Sequence, residues 1–200
     1  MKKVLLTGFE PFHNATSNPS NEILKTLNTE EIPGLFTATL PVEFGTSWNL
    51  LKELIEKVEP DFVVALGQAE GRNHITPERI AINLEDARIP DNAGNQPRNK
   101  AIVEGGADGL FSTLPIEQIV ELLDKAKIPV SVSLSAGSYV CNHLFYALQD
   151  YCRTSDIKSG FIHVPLMDSQ ATEFPGLPTL PLEIMVKGIR MLVTNLLNQP

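Results

Sequence analysis

Short, continuous apolar runs alternate along this chain with longer stretches in which apolar residues recur every three or four positions. Val4-Leu5-Leu6-Thr7 and Phe62-Val63-Val64-Ala65-Leu66 have almost no polar interruption. Strands of a sheet covered on both faces read this way. Phe36 to Val42, Val130 to Leu134 and Gly160 to Val164 read as further strands. From Arg79 to Glu85 the pattern alternates, with Ile80, Ile82 and Leu84 on one side. Helical spacing appears in Trp48, Leu51, Leu54, Ile55 and Val58, in Ile116, Ile119, Val120 and Leu123, and in Ile184 to Leu196. Ser17 or Asn18 can cap another helix starting near Pro19, a residue well suited to a first turn. With no internal repeat or low-complexity linker, residues 1–200 read as one α/β domain. The expected architecture is a three-layer sandwich, a mostly parallel or mixed central sheet with helices on both faces.

Composition narrows the function. Sixteen basic against 24 acidic residues give a net charge of −8, which argues against nucleic-acid or anionic-membrane partners. Hydrophobic residues make up 42% of the chain, enough for a sizeable core. The start, Met1-Lys2-Lys3-Val4-Leu5-Leu6, resembles a signal peptide, but Gly8, Glu10 and Pro11 end its apolar run early. A cytoplasmic protein is expected. Both cysteines, Cys141 and Cys152, are then expected to be free. On one helix they lie about 16 Å apart, whereas a disulfide needs Cα atoms within about 7 Å.

Cys141 carries the most specific chemical signal. Small and turn-forming residues, Ser135-Ala136-Gly137-Ser138, precede it, and Leu144, Phe145, Leu148 and Cys152 follow with helical spacing. That puts the thiol in a first helical turn, where orphan N–H groups and the helix dipole favour a thiolate. The dipole contributes at most about 2 kcal/mol, roughly one and a half pKa units, so a neighbouring base is also required. An inert buried cysteine is the plainer alternative; Cys152, late in the helix, fits that role.

Among the four histidines, His143 is nearest in sequence, but residues two apart on a helix do not face each other. His13 and His74 sit in polar stretches. His163 ends an apolar strand and points either into the core or into the crevice at the strand's end. Of the acids that could orient it, Glu78 shares parity with Ile80 and Ile82 and would be buried, which is costly unless it is paired. Glu85 and Asp86 compete, although beside Arg88 they read as a surface charge cluster. No metal-ligand spacing is present.

With Cys141, His163 and Glu78 in hand, the chain resembles the pyroglutamyl peptidases of the type I (pyrrolidone-carboxylate peptidase) family. The likeness runs through Gly8-Phe9-Glu10-Pro11-Phe12, Asn18-Pro19-Ser20, Gly67-Gln68-Ala69-Glu70-Gly71-Arg72 and Glu78-Arg79-Ile80-Ala81-Ile82-Asn83. It continues through Asp86 to Asn92, the Cys141 segment and Phe161-Ile162-His163-Val164-Pro165. The resemblance implies Cys141 as nucleophile, His163 as general base and Glu78 as its orienting residue. It also implies peptides with an N-terminal pyroglutamate as substrates, no cofactor or metal, and a homo-oligomer, dimer or tetramer.

Pyroglutamate is a compact, neutral lactam, so its pocket should be apolar with a few aimed polar groups. On the resemblance, Phe9, Phe12, Ile89 and Val140 line it, and Gln68 or Asn18 pairs with the lactam amide. Arg88 and the backbone N–H of Cys141 are the oxyanion candidates. Two departures stand out: Leu166-Met167-Asp168-Ser169-Gln170 replaces the family's Pro-Glu-Gln-like turn, and the spacing from Cys141 to His163 is slightly short. Both bear on the leaving-group side. Two alternatives compete with a peptidase. A nucleoside-phosphorylase-like enzyme on a related fold would need an arginine-rich phosphate site, and a catalytically silent pyroglutamyl-binding module would have lost its thiol chemistry.

Overall fold

Burial on both faces organises this molecule. In β1 (Val4–Phe9), Val4 and Leu6 join one hydrophobic cluster while Leu5 and Phe9 join another. The same alternation splits β3 (Phe62–Gln68): Phe62, Val64 and Leu66 against Val63 and Ala65. A strand buried at every position can serve two cores only if helices cover both sides. The computed structural model describes residues 1–13 and 15–199.

The remaining elements are α1 (Pro19–Asn28), β2 (Leu35–Leu40), α2 (Thr46–Val58), β4 (Thr76–Pro77), β5 (Ile80–Ile82) and β6 (Gly109–Phe111). They continue with α3 (Ile116–Lys125), α4 (Val140–Cys152), β7 (Lys158–Val164), a 3-10 turn at Asp168–Gln170 and α5 (Leu182–Leu197). The central sheet has the order β2-β1-β3-β7-β4. Its first four strands are parallel, and only β4 runs antiparallel, against β7. Helices α1, α3 and α5 fill one face, α2 and α4 the other. This is the three-layer α/β sandwich with a mixed, mostly parallel sheet that the periodicity predicts.

Helix α1 is capped by Asn18, whose Oδ1 accepts from the Ser20 N–H, and Pro19 occupies the first turn. Both cysteines lie on α4 and are free.

Two expectations need correction. Val130 to Leu134 is not a regular strand; it touches the sheet edge through isolated bridges, Ile75 to Val130 and Glu78 to Ser133. It has a pairing partner on one side only, so its apolar run continues no ladder. Arg79 to Glu85 is not one strand either. After β4 the chain leaves the main sheet, and Ile80–Ile82 pairs with Gly109–Phe111 in a separate two-stranded sheet. Ala81 is buried there while Ile80 and Ile82 are half-buried. The parity argument thus places Glu78 inside for the wrong reason, since Glu78 is buried by β7 rather than by sharing a face with Ile80.

Candidate active site

The carboxyl ends of β1, β2 and β3 and the amino end of α4 converge on one cavity of about 140 Å³. Its walls are Phe9, Phe12, Asn18, Val42, Gln68, Ala136, Tyr139, Val140 and Cys141. A crevice beyond the strand ends is where ligands bind in such sheets. Five of the expected pocket residues, Phe9, Phe12, Asn18, Gln68 and Val140, are among them. Val42, Ala136 and Tyr139 were not anticipated.

Cys141 stands in the first turn of α4, and its neighbours fix that turn. The Asn142 side chain accepts from the Ile82 N–H and donates to the carbonyls of Ile82 and Leu84. His143 Nδ1 lies 2.5 Å from Glu85 Oε1, and its Nε2 accepts from the Gly45 N–H. Glu85 therefore serves His143 rather than a surface cluster, and Asp86 pairs with Arg98 instead. With both ring nitrogens occupied, His143 is a structural clamp.

The sulfur rests over Gly67. A Cβ built there would lie 3.1 Å from Cys141 Sγ and 2.8 Å from the Phe161 ring, so only glycine leaves room for the thiol. Gly67 is also the direct ladder partner of His163. The register of β3 against β7 thus sets the histidine beside the position the thiol occupies. Gly67→Ala is expected to cost about 1–3 kcal/mol of stability from overpacking. It should also lower kcat/KM at least about tenfold by displacing the sulfur, as read by thermal melts and steady-state kinetics.

His163 is 4% exposed and Glu78 fully buried. Strand β4 brings them together: Thr76 pairs with His163 and the Glu78 N–H donates to the Phe161 carbonyl. His163 Nδ1 lies 2.7 Å from Glu78 Oε1, which also accepts from Arg72 Nη1 at 2.6 Å. Arg72 is itself held by Thr76 Oγ1 and by the Ser135 carbonyl. Arg72 closes the Gly67–Arg72 stretch, where nothing in the sequence marks it as a partner of Glu78.

Burial disfavours the Glu78 carboxylate, but the His163 hydrogen bond and charge, Ser133 and the Arg72 charge outweigh it and lower its pKa. Burial also lowers the pKa of His163, against the opposing pull of Glu78. With Glu78 ionised, His163 carries its proton on Nδ1 and presents a neutral Nε2. Burial, reinforced by the Glu78 charge, pushes the Cys141 thiol up to about 12, with Arg72 and the thiol's own backbone N–H acting against it. The expectation of a dipole-favoured thiolate is corrected here. A helix terminus moves a pKa by about a unit, and desolvation beside a carboxylate exceeds that.

Other candidates fare unevenly. Asn18 faces the cavity, but its polar atoms already bind the Glu10 carbonyl and Ser20. Buried Gln68 has an Nε2 with no hydrogen-bond partner among the described residues. Arg88 is exposed and Ile89 half-buried, and neither lines the cavity. Their segment is nonetheless tied to the turn before Cys141. The Asp86 N–H donates to the Ser138 carbonyl, and Tyr139 Oη donates to that of Pro90. The 166–170 segment, expected at the leaving-group side, reaches the pocket through Gln170, which contacts Gln68.

A thiol at a helix start beside a buried histidine–carboxylate pair is the constellation of a thiol-dependent hydrolase on an α/β sheet. The family model described as pyroglutamyl peptidase matches residues 2–199. The pyrrolidone-carboxylate peptidase of Bacillus licheniformis is 52% identical over 194 residues, covering 95% of this chain and 90% of the relative. That of Vibrio parahaemolyticus is 47% identical over 193 residues, covering 96% and 91%. The crystal structure of pyroglutamyl peptidase I from Bacillus amyloliquefaciens superposes with a TM-score of 0.94 at 43% identity, covering 99% of this chain and 96% of that one. The pyrrolidone carboxyl peptidase of Pyrococcus furiosus gives 0.91 at 37%, covering 98% of each chain. The chain belongs to the pyroglutamyl peptidase family.

Proposed function

We propose that this protein is a cysteine exopeptidase that removes an N-terminal pyroglutamyl residue from peptides. In this reading Cys141 is the nucleophile, His163 the general base and Glu78 the group that orients it. The cavity carries the proposal. Its volume of about 140 Å³ is close to the roughly 150 Å³ that accommodates one benzene ring. One five-membered lactam fits such a space, and a dipeptide does not. No lining residue bears a permanent charge. A prolyl terminus would bring a secondary ammonium into this apolar cavity with no carboxylate to meet it, at a cost of several kcal/mol. Pyroglutamate brings no charge.

In the reaction, Cys141 Sγ attacks the pyroglutamyl carbonyl carbon as its proton passes to His163 Nε2. Glu78 stabilises the imidazolium so formed. The carbonyl oxygen becomes an oxyanion, for which the Cys141 backbone N–H and Arg88 are the assigned donors. Arg88 is carried on the segment hydrogen-bonded to Ser138 and Tyr139, just before the thiol. As the C–N bond breaks, His163 returns its proton to the departing amine, leaving a thioester. His163 then takes a proton from water, hydroxide attacks the thioester, and free pyroglutamate leaves as the thiol is restored.

The resemblance also supports a cytoplasmic homo-oligomer as part of this proposal. Among the described residues no helix is long and apolar enough to cross a membrane.

Release of a fluorescent amine from a pyroglutamyl amide, with the matching prolyl amide alongside, tests the function. The pyroglutamyl amide is expected to turn over at least about 10³-fold faster in kcat/KM, from the uncompensated ammonium. Equal turnover of the two amides would contradict the pyroglutamyl specificity, and silence from folded, reduced protein would contradict the peptidase reading and favour a binding module.

A further inference from the structure

The 166–170 segment sets a glutamine, Gln170, directly behind the pocket wall, against Gln68. The backbone N–H of Met167 donates to Gln170 Oε1 at 2.9 Å. Because that donor can only meet an oxygen, it settles which end of the Gln170 amide is which. Gln170 Nε2 then donates in two directions, to the Ser17 carbonyl at 3.3 Å and to Gln68 Oε1 at 3.1 Å. Gln170 is 1% exposed, so water does not substitute for these partners. With its oxygen taken, Gln68 must turn its NH₂ the other way. That NH₂ is the buried donor that lacks a partner, on a residue that lines the cavity.

We propose that Gln170 is a positioning residue for substrate specificity: it fixes the Gln68 amide so that a hydrogen-bond donor, not an acceptor, faces the substrate's lactam carbonyl. The proposal rests on the pyroglutamyl reading and assigns one polar contact within it. Three amide groups pass the orientation of a single backbone N–H into the pocket. A pyroglutamyl ring can then enter in one sense, its carbonyl towards Gln68, which leaves the scissile carbonyl towards Cys141. In the opposite sense the lactam N–H would face the Gln68 NH₂, donor against donor in a buried site, an arrangement that costs about as much as an unmade buried hydrogen bond. Prolyl rings lack the carbonyl and leave the Gln68 donor unpaired.

Gln170→Glu tests this at constant shape. One carboxylate oxygen keeps the Met167 N–H, while the other repels Gln68 Oε1 and turns the Gln68 NH₂ away from the cavity. kcat/KM for a pyroglutamyl amide should fall about 10- to 100-fold, mostly through KM. Cys141 should remain fully alkylatable at high pH, where the added charge no longer keeps the thiol protonated, which reports an intact active site. Gln170→Leu, which leaves the Met167 N–H and the Ser17 carbonyl without this partner and frees the Gln68 amide to rotate, should lose about three- to tenfold and provides the test if the carboxylate prevents folding. The decisive arm is Gln68→Met, alone and combined with each Gln170 variant. If Gln170 acts through Gln68, its substitution adds less than about twofold on that background. A full additional loss there, or wild-type kcat/KM in folded Gln170→Glu, overturns the proposal. Wild-type silence in the same assay would instead count against the peptidase reading itself.

Discussion

Cys141→Ala is expected to lower turnover of a pyroglutamyl amide by roughly 10⁴-fold or more, with KM and melting temperature near those of wild type. The size follows from covalent catalysis, because the one other hydroxyl or thiol on the described cavity wall, Tyr139 Oη, is bound to the Pro90 carbonyl. Stability should hold because the thiol is neutral and half-buried at rest, so its removal strands no charge and opens little space. Cys152→Ala is the control. Cys152 is 3% exposed and packs in the core beneath α4. Its loss should cost about 1 kcal/mol or somewhat more in thermal melts and leave kcat/KM unchanged. A drop in activity for Cys152→Ala as large as for Cys141→Ala would mean that the helix, not the thiol, is what matters.

Glu78→Gln should have the second largest effect, lowering kcat by roughly 10²- to 10⁴-fold. The glutamine oxygen can still accept from His163 and Arg72, with its NH₂ where Glu78 Oε2 now has no hydrogen-bond partner. Geometry is largely kept; the charge that stabilises the imidazolium is lost. The thiol should respond in the opposite direction. The Glu78 charge raises the Cys141 pKa, so its removal should shift the alkylation profile of Cys141 to lower pH even as catalysis falls. A merely destabilised protein would not show that divergence. If the alkylation profile stays in place while kcat falls, the electrostatic coupling of the two groups is wrong.

The same charges set the pH dependence. His163 has its pKa lowered below 6.5 by burial, so the base is neutral at neutral pH and the acid limb of kcat/KM should lie below 6.5. For stability both groups act in one sense. Glu78 has a folded-state pKa below its usual 4.5, so its contribution is present above that value and is lost as pH falls through the folded pKa. Neutral, buried His163 favours the folded state above 6.5 and loses that advantage as pH falls through its own lowered pKa.

Much of this was legible in the chain. The β1, β3 and β7 runs betray a sheet covered on both faces, and Pro19 after Asn18 marks a helix start. The catalytic candidates could be named because chemistry-bearing residues followed strands or opened a helix. What escaped depends on distant contacts. Arg72 matters only because β4 folds back against β7. Val42 and Tyr139 become pocket walls only when the β2 and α4 ends meet. Gln170 gains its role from an amide about a hundred residues earlier in the chain. The thiol's pKa was misjudged because a helix dipole can be read from sequence, whereas burial beside Glu78 cannot.

The central claim is that Cys141 carries the pyroglutamyl group through a thioester, and an acid quench during turnover tests it most directly. Intact-protein mass spectrometry of the quenched enzyme, followed by peptide mapping, should find one pyroglutamyl acyl group, located on Cys141 and removed by hydroxylamine. Full turnover with no adduct even at the shortest quench times, or an acyl group mapped to Cys152, would contradict it.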